Sequence, residues 1–200
     1  ERDYTPFGRG YNTDLSVPHP SMIYRHLGRS GLLVSAVSYG AWLTFKEKSG
    51  MAVDNAVEML ETAIHGGINF FDNAESYGDF IGESEYIMGL AFKHIFGKGR
   101  IRRSDLVIAT KLYRGGDGIN ERGLSRKHIL EGMRASLNRL QMDYVDLIFC
   151  HRPDPFTPME ETVRAMNFIL DQGWAFYWGT SEWSAAEVSL AHEIAAKLNL

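Results

Sequence analysis

The sequence predicts an α/β fold whose parallel sheet is wound as a (β/α) barrel. Three observations carry this expectation. Apolar runs of strand length alternate five times with amphipathic stretches of helical period. The runs are apolar at successive positions, as in parallel strands buried on both faces. Polar residues gather just after the runs, where barrel enzymes keep their chemistry. The first strand is not followed by G-x-G-x-x-G, which argues against a doubly wound dinucleotide-binding sheet.

Residues 1 to 20 are polar, without period, and read as an extended or disordered arm. Met22 to Arg25 and Leu32 to Val34 flank Gly28-Arg29-Ser30-Gly31, a hairpin pattern. Such a hairpin suits a lid on the bottom of a barrel. Ser35 to Gly40 reads as the first barrel strand, ending at Gly40-Ala41-Trp42. Val53, Val57, Leu60 and Ile64 then recur at helical spacing, and Gly66-Gly67 closes that helix. Strand 68–71 follows, and Ile87, Leu90 and Ile95 mark the next helix.

Strand 106–109 ends at Thr110-Lys111, and Ser125 caps a helix striped by Ile129, Met133, Leu137 and Leu140. Strand 145–149 ends at Cys150-His151. Thr157-Pro158-Met159-Glu160 reads as a capping box with proline at the first helical position. Strand 175–178 leads to Gly179-Thr180-Ser181, and Ser184 to Glu187 is a second capping box, opening a helix through Leu198. A complete barrel has eight such units in about 250 residues. Five units leave open parallel edges, so residues 21–200 are expected to be the N-terminal part of a longer barrel, unless something else completes the sheet.

Composition fits one globular domain: 200 residues, 44% hydrophobic and 23% charged. A net charge of −4 gives no electrostatic footprint for nucleic acid. The lone cysteine, Cys150, forms no internal disulfide. No apolar run nears the ~20 residues of a membrane span, and the N-terminus lacks the order of a signal peptide. The expectation is a cytoplasmic protein with no membrane insertion and no nucleic-acid partner.

The chemistry centres on Phe70-Phe71-Asp72-Asn73-Ala74-Glu75-Ser76-Tyr77-Gly78, a strand that breaks into a loop holding an acid and a phenol. Trp42, Asp72 with Tyr77, Lys111, His151 and Ser181 follow five successive strands and would converge on one mouth. Each alone has a bland reading: a turn cap, a solvated lysine, a hydrogen-bonded structural histidine. Together they suit proton delivery. An ammonium beside a phenol favours the phenolate, a carboxylate holds the ammonium, and an imidazole positions a carbonyl oxygen. The set has no nucleophile paired to a base and no cluster with metal-ligand spacing. It fits proton transfer to a carbonyl paired with hydride from a bound cofactor.

The order Asp72, Tyr77, Lys111, His151 resembles the catalytic tetrad of the aldo-keto reductases, which are NADP(H)-dependent (β/α)8 barrels. Longer stretches resemble one branch, the voltage-gated potassium channel β subunits and their shaker-type relatives. They are residues 24–32, 122–129, 152–155, 158–166 and 177–181. The resemblance implies Tyr77 as proton donor, Lys111 and Asp72 as its tuning pair, and His151 orienting the substrate carbonyl. It implies that Ser181 binds the nicotinamide amide and that Ala41, Trp42 and Asp72 line the cofactor site, with Lys48 and Glu182 as further contacts. His151 stands where animal channel β subunits carry Asn, which implies better equipment for turnover. Glu182 replaces an Arg of that branch. The loops that hold the cofactor phosphates belong to later strands.

Three functions are therefore expected in turn: an NADPH-dependent reductase of aldehydes or ketones, a channel-β-like subunit using NADP(H) as a ligand, and a silent barrel fragment in a larger complex. The partners implied are a small carbonyl substrate and a second copy or another protein. The basic run Lys93, Lys98, Arg100, Arg102 and Arg103 reads as a solvated loop. Phe176, Tyr177, Trp178 and Trp183 read as barrel packing and pocket wall, and no feature marks Cys150 as a nucleophile.

Overall fold

The structure is a computed structural model that describes residues 22–45 and 53–200. The N-terminal arm and Lys48 lie outside the described residues. Strands β1 (Tyr24–His26) and β2 (Leu33–Ser35) form an antiparallel hairpin. Then come β3 (Tyr39–Gly40), α1 (Val53–His65), β4 (Phe70–Asp72), α2 (Glu83–Gly97) and β5 (Val107–Leu112). They are followed by α3 (Arg126–Leu140), β6 (Val145–Cys150), α4 (Met159–Asp171), β7 (Ala175–Thr180) and α5 (Ala185–Leu198).

The parallel sheet runs β3-β4-β5-β6-β7, each strand beside the next in sequence. A doubly wound sheet reverses its order at a switch point, and no reversal occurs among the described strands. Right-handed crossovers repeated in one direction place every helix on one face of the sheet. Accordingly each helix from α1 to α4 packs on its successor. This is the winding of a (β/α) barrel, present here in part.

Two cores result. The larger lies between helices and sheet, around Phe71, Ile108, Ile148, Leu60, Met133 and Met166. Each such side chain, fully buried, contributes roughly 1.5–3 kcal/mol relative to exposure. Exposed ion pairs such as Lys98–Glu61 and Arg102–Asp105 add about 0–1 kcal/mol each, so packing dominates. The smaller core lines the inner face, where Val34 of the hairpin meets Val107, Ala109 and Leu147. The hairpin thus closes the N-terminal end of the sheet, as its sequence suggested. Asn69 fastens it there: its side chain accepts from Ser35 N at 2.7 Å and donates to Leu33 O at 3.1 Å.

Some element bounds differ from expectation. Ser35 belongs to the hairpin, and β3 keeps only Tyr39 and Gly40. β5, β6 and β7 run one to three residues further than the apolar runs, because Thr110, Lys111 and their neighbours stay in the ladder while changing polarity. The capping box at Ser184 and Glu187 forms, and Ser125 caps α3. The one expected at Thr157 does not. Pro158 is the N-cap of α4, and the Thr157 hydroxyl donates instead to Asp154 Oδ2 at 2.7 Å. The basic run is tied down more than a solvated loop would be. Arg103 donates to Asp146 Oδ2 at 2.7 Å and lies over the Tyr144 ring.

Candidate active site

Period-two alternation explains which side chains reach the mouth. Phe70, Val107, Ala109, Leu147 and Phe149 face the inner core. Two residues further along each strand stand Asp72, Lys111 and His151. On β7, Gly179 faces Phe149, since a Cβ there would stand 2.8 Å from the Phe149 ring, and Ser181 is two residues on. The odd-register neighbours Ile108, Ile148 and Cys150 point to the outer core. Burial pushes the Cys150 thiol up, so it stays protonated and inert.

Lys111 is only 8% exposed. Its Nζ donates to Asp72 Oδ2 at 2.5 Å, to Asn73 O at 2.8 Å and to Tyr77 Oη at 3.1 Å. An ammonium has three donors and no acceptor, so Lys111 is fully engaged. Burial raises the Asp72 carboxyl above its ordinary range, and the Lys111 charge opposes that rise. The Tyr77 ring meets His151 edge-on, with centroids 5.6 Å apart, and tilts against Trp42 at 6.4 Å. The His151 imidazole is driven down to about 4 by burial, then by the cations Lys111, Arg152 and Arg114. It is neutral at pH 7.

The loop bearing Tyr77 is held on both sides. Glu75 N donates to Lys111 O, Gly82 N donates to Glu75 O, and Ser84 N donates to Tyr77 O. The buried Glu75 carboxylate accepts from Tyr113 N at 2.5 Å and lies 3.1 Å from His128 Nε2. Gly78 sits at φ +118° with Glu83 pressed against it, a conformation and a space that exclude side chains.

A cavity of about 520 Å³ opens beside Tyr77. Trp42, Tyr77, Lys111, His151, Ser181 and Glu182 line it, all singled out from sequence. Asp72 stands behind Lys111, outside the lining. Ala41 is fully buried beneath Trp42, where its carbonyl accepts from Ser84 Oγ. Three lining arginines, Arg114, Arg122 and Arg152, escaped the sequence reading. Their signal was present: Arg152 directly follows His151, and Arg114 lies three residues after Lys111. The Glu75–His128 pair escaped it too, since buried partners far apart in sequence leave no local pattern. Among the described residues no group of three acids, histidines or cysteines could hold a metal, and no helix is long and apolar enough to cross a membrane.

A singly wound parallel sheet with Asp, Tyr, Lys and His converging at its C-terminal mouth defines the class, a (β/α) barrel present in part. The family model for the aldo/keto reductases matches residues 36–198, and the chain belongs to that family. It is 55% identical over 179 residues to a probable voltage-gated potassium channel subunit beta of Oryza sativa subsp. japonica. It is 54% identical over 179 residues to a protein of the same description from Arabidopsis thaliana. Each match covers 90% of this chain and 52% of the relative, so the chain spans about half the length of these curated relatives.

Proposed function

We propose that the protein is an NADP(H)-dependent oxidoreductase that reduces aldehyde or ketone carbonyls, with Tyr77 as proton donor. The observation that carries this reading is the Lys111 ammonium, which bridges Asp72 and the Tyr77 hydroxyl. Because Lys111 can only donate, the phenolic O–H is left to point into the cavity. Tyr77 gives that proton to the carbonyl oxygen, and Lys111 stabilises the phenolate left behind. Asp72 fixes Lys111 in place. His151, neutral and edge-on to Tyr77, offers one N–H to the same oxygen and orients it. A reduced nicotinamide, when bound, supplies the hydride to the carbonyl carbon. The residues present fit its nicotinamide end. Trp42 offers an aromatic face that is 64% exposed. Ser181 Oγ has a long contact of 3.4 Å with Arg152, which leaves it room to meet an amide. A reducing cytoplasmic setting belongs to the same proposal and suits the free Cys150 thiol.

A second reading, a channel-β-like subunit that uses the nucleotide as a ligand and docks on a protein partner, is favoured by the descriptions of the two plant relatives. One experiment separates the readings. NADPH is titrated into the natively purified protein by quenching of tryptophan fluorescence, and 4-nitrobenzaldehyde is then added. Binding followed by NADPH oxidation, with turnover cut about 10²–10⁴-fold by Tyr77→Phe, supports the reductase. Binding without oxidation supports the subunit, and no binding overturns both.

A further inference from the structure

The cavity beside Tyr77 carries more positive charge than proton delivery requires. Of the four cations that line it among the described residues, Lys111 is occupied by Asp72, and Arg122 by Asp117 and Gly116 O. Arg114 and Arg152 have no carboxylate partner among the described residues. Arg152 is only half-buried, and its Nη1 donates to His151 O at 2.7 Å and reaches Ser181 Oγ at 3.4 Å. Among the described residues, Glu182 is the one carboxylate in the lining. A chain of net charge −4 thus places at its candidate active site two guanidiniums that are unpaired among the described residues.

The backbone that carries Arg114 is fixed, and its side chain is exposed at the rim. Lys111 ends the inner face of β5, and the chain then folds back on itself. Gly115 N donates to Glu121 O at 2.8 Å, Gly123 N donates to Tyr113 O at 2.9 Å, and Arg114 bridges Arg122 in antiparallel fashion. Arg114 is therefore held at the rim by a closed loop, on the same cavity as the Tyr77 hydroxyl and His151. Burial and then Lys111 lower the proton affinity of His151, and the same two guanidiniums add to that effect.

We infer that the cavity takes a carbonyl compound bearing a carboxylate, an oxo acid, with Arg114 and Arg152 receiving the carboxylate while Tyr77 and His151 address the carbonyl oxygen. A guanidinium matches a carboxylate in planar, two-pronged geometry. A cleft with an excess of one sign of charge also concentrates substrate of the other. The inference rests on the reductase reading for its reaction and on the unpaired guanidiniums for its substrate class. The same charges would suit a nucleotide phosphate, and paired substrates separate the two sources.

The natively purified protein is assayed with NADPH on 4-formylbenzoate and on its methyl ester, which differ only in the anion. The wild type is expected to favour the acid in kcat/KM by about 10–100-fold, the range of one or two charge-assisted hydrogen bonds. Arg114→Met and Arg152→Met each lower the acid-to-ester ratio about tenfold or more, with the NADPH dissociation constant moving less than twofold. Equal use of acid and ester by the wild type overturns the inference. So does a loss of NADPH affinity in the variants with the ratio unchanged, which would assign the guanidiniums to the nucleotide. If neither aldehyde is reduced, the reductase reading fails on its own, and calorimetric binding of 4-(hydroxymethyl)benzoate against its methyl ester decides. Preference for the acid that is lost in Arg114→Met upholds the anion site, and equal binding overturns it.

Discussion

Lys111 Nζ stands 3.1 Å from the Tyr77 hydroxyl oxygen and 2.5 Å from Asp72 Oδ2. One cation therefore serves two purposes, steadying a half-buried carboxylate and polarising a phenol. Lys111→Met removes both. It is expected to lower kcat/KM at least 10²-fold and to destabilise the fold by about 1–3 kcal/mol, because Asp72 is left partly buried without its counter-charge. Adding Asp72→Asn recovers most of the stability and none of the turnover. Urea unfolding and NADPH oxidation on the three proteins check this, and wild-type turnover by Lys111→Met would remove the basis of the site.

Gly89 marks where α2 and α3 touch backbone to backbone. A Cβ there would stand 2.5 Å from Arg139 O and 2.6 Å from the Leu140 carbonyl carbon. Helix propensity alone would make Gly89→Ala stabilising by up to about 1 kcal/mol. Overpacking against backbone that cannot swing aside costs about 1–3 kcal/mol, so a net loss is expected. At Gly97, the end of the same helix, an added Cβ would meet nothing within 4 Å, and Gly97→Ala is expected to stabilise by roughly 0.4–1 kcal/mol. Opposite shifts in urea midpoint confirm the contact, and two shifts of the same sign refute it.

His151 is held neutral down to about pH 4. In the unfolded chain an imidazole takes its proton near pH 6.5. Between those values the unfolded state binds the proton and the folded state does not, so stability on this account rises with pH from about 4 to 6.5 and is flat above. Histidine NMR titration should show the His151 resonances unmoved through pH 6.5. Arg152→Met, which removes one of the cations, should raise the midpoint. A His151 midpoint near 6.5 in the native protein would contradict the burial and charge described for it.

Most of the framework was legible because it follows from periodicity. Apolar runs located β4 to β7, and the polar residues after them located Asp72, Lys111 and His151 on one face through the two-residue repeat. The strand ends were not legible, since Thr110 and Lys111 remain in the ladder after hydrophobicity stops. Thr157 departs from its pattern for a related reason: the local spacing promises a cap, and the Asp154 carboxylate, placed by the turn before it, takes the hydroxyl. The arginines of the cavity were visible as residues but not as a set. Arg114 and Arg152 come from different strand ends, and only the fold shows that neither forms an ion pair among the described residues.

Glu75 and His128 join the Tyr77 loop to α3, and both are buried, 1% and 3% exposed. One Glu75 carboxylate oxygen serves both Tyr113 N and His128, while the other has no partner among the described residues. The Glu75 backbone in turn binds Lys111 O and Gly82 N, so loosening the side chain loosens the turn that carries Tyr77. His128→Leu strands the carboxylate among apolar atoms and is expected to cost about 2–4 kcal/mol. Glu75→Gln keeps an acceptor for Tyr113 N and should cost less, about 1 kcal/mol. Both should also lower kcat when assayed at a temperature where each variant is fully folded, with His128→Leu the more severe. Urea unfolding and turnover measured on the same preparations test the order. A neutral His128→Leu would mean that the loop is held by its backbone hydrogen bonds alone.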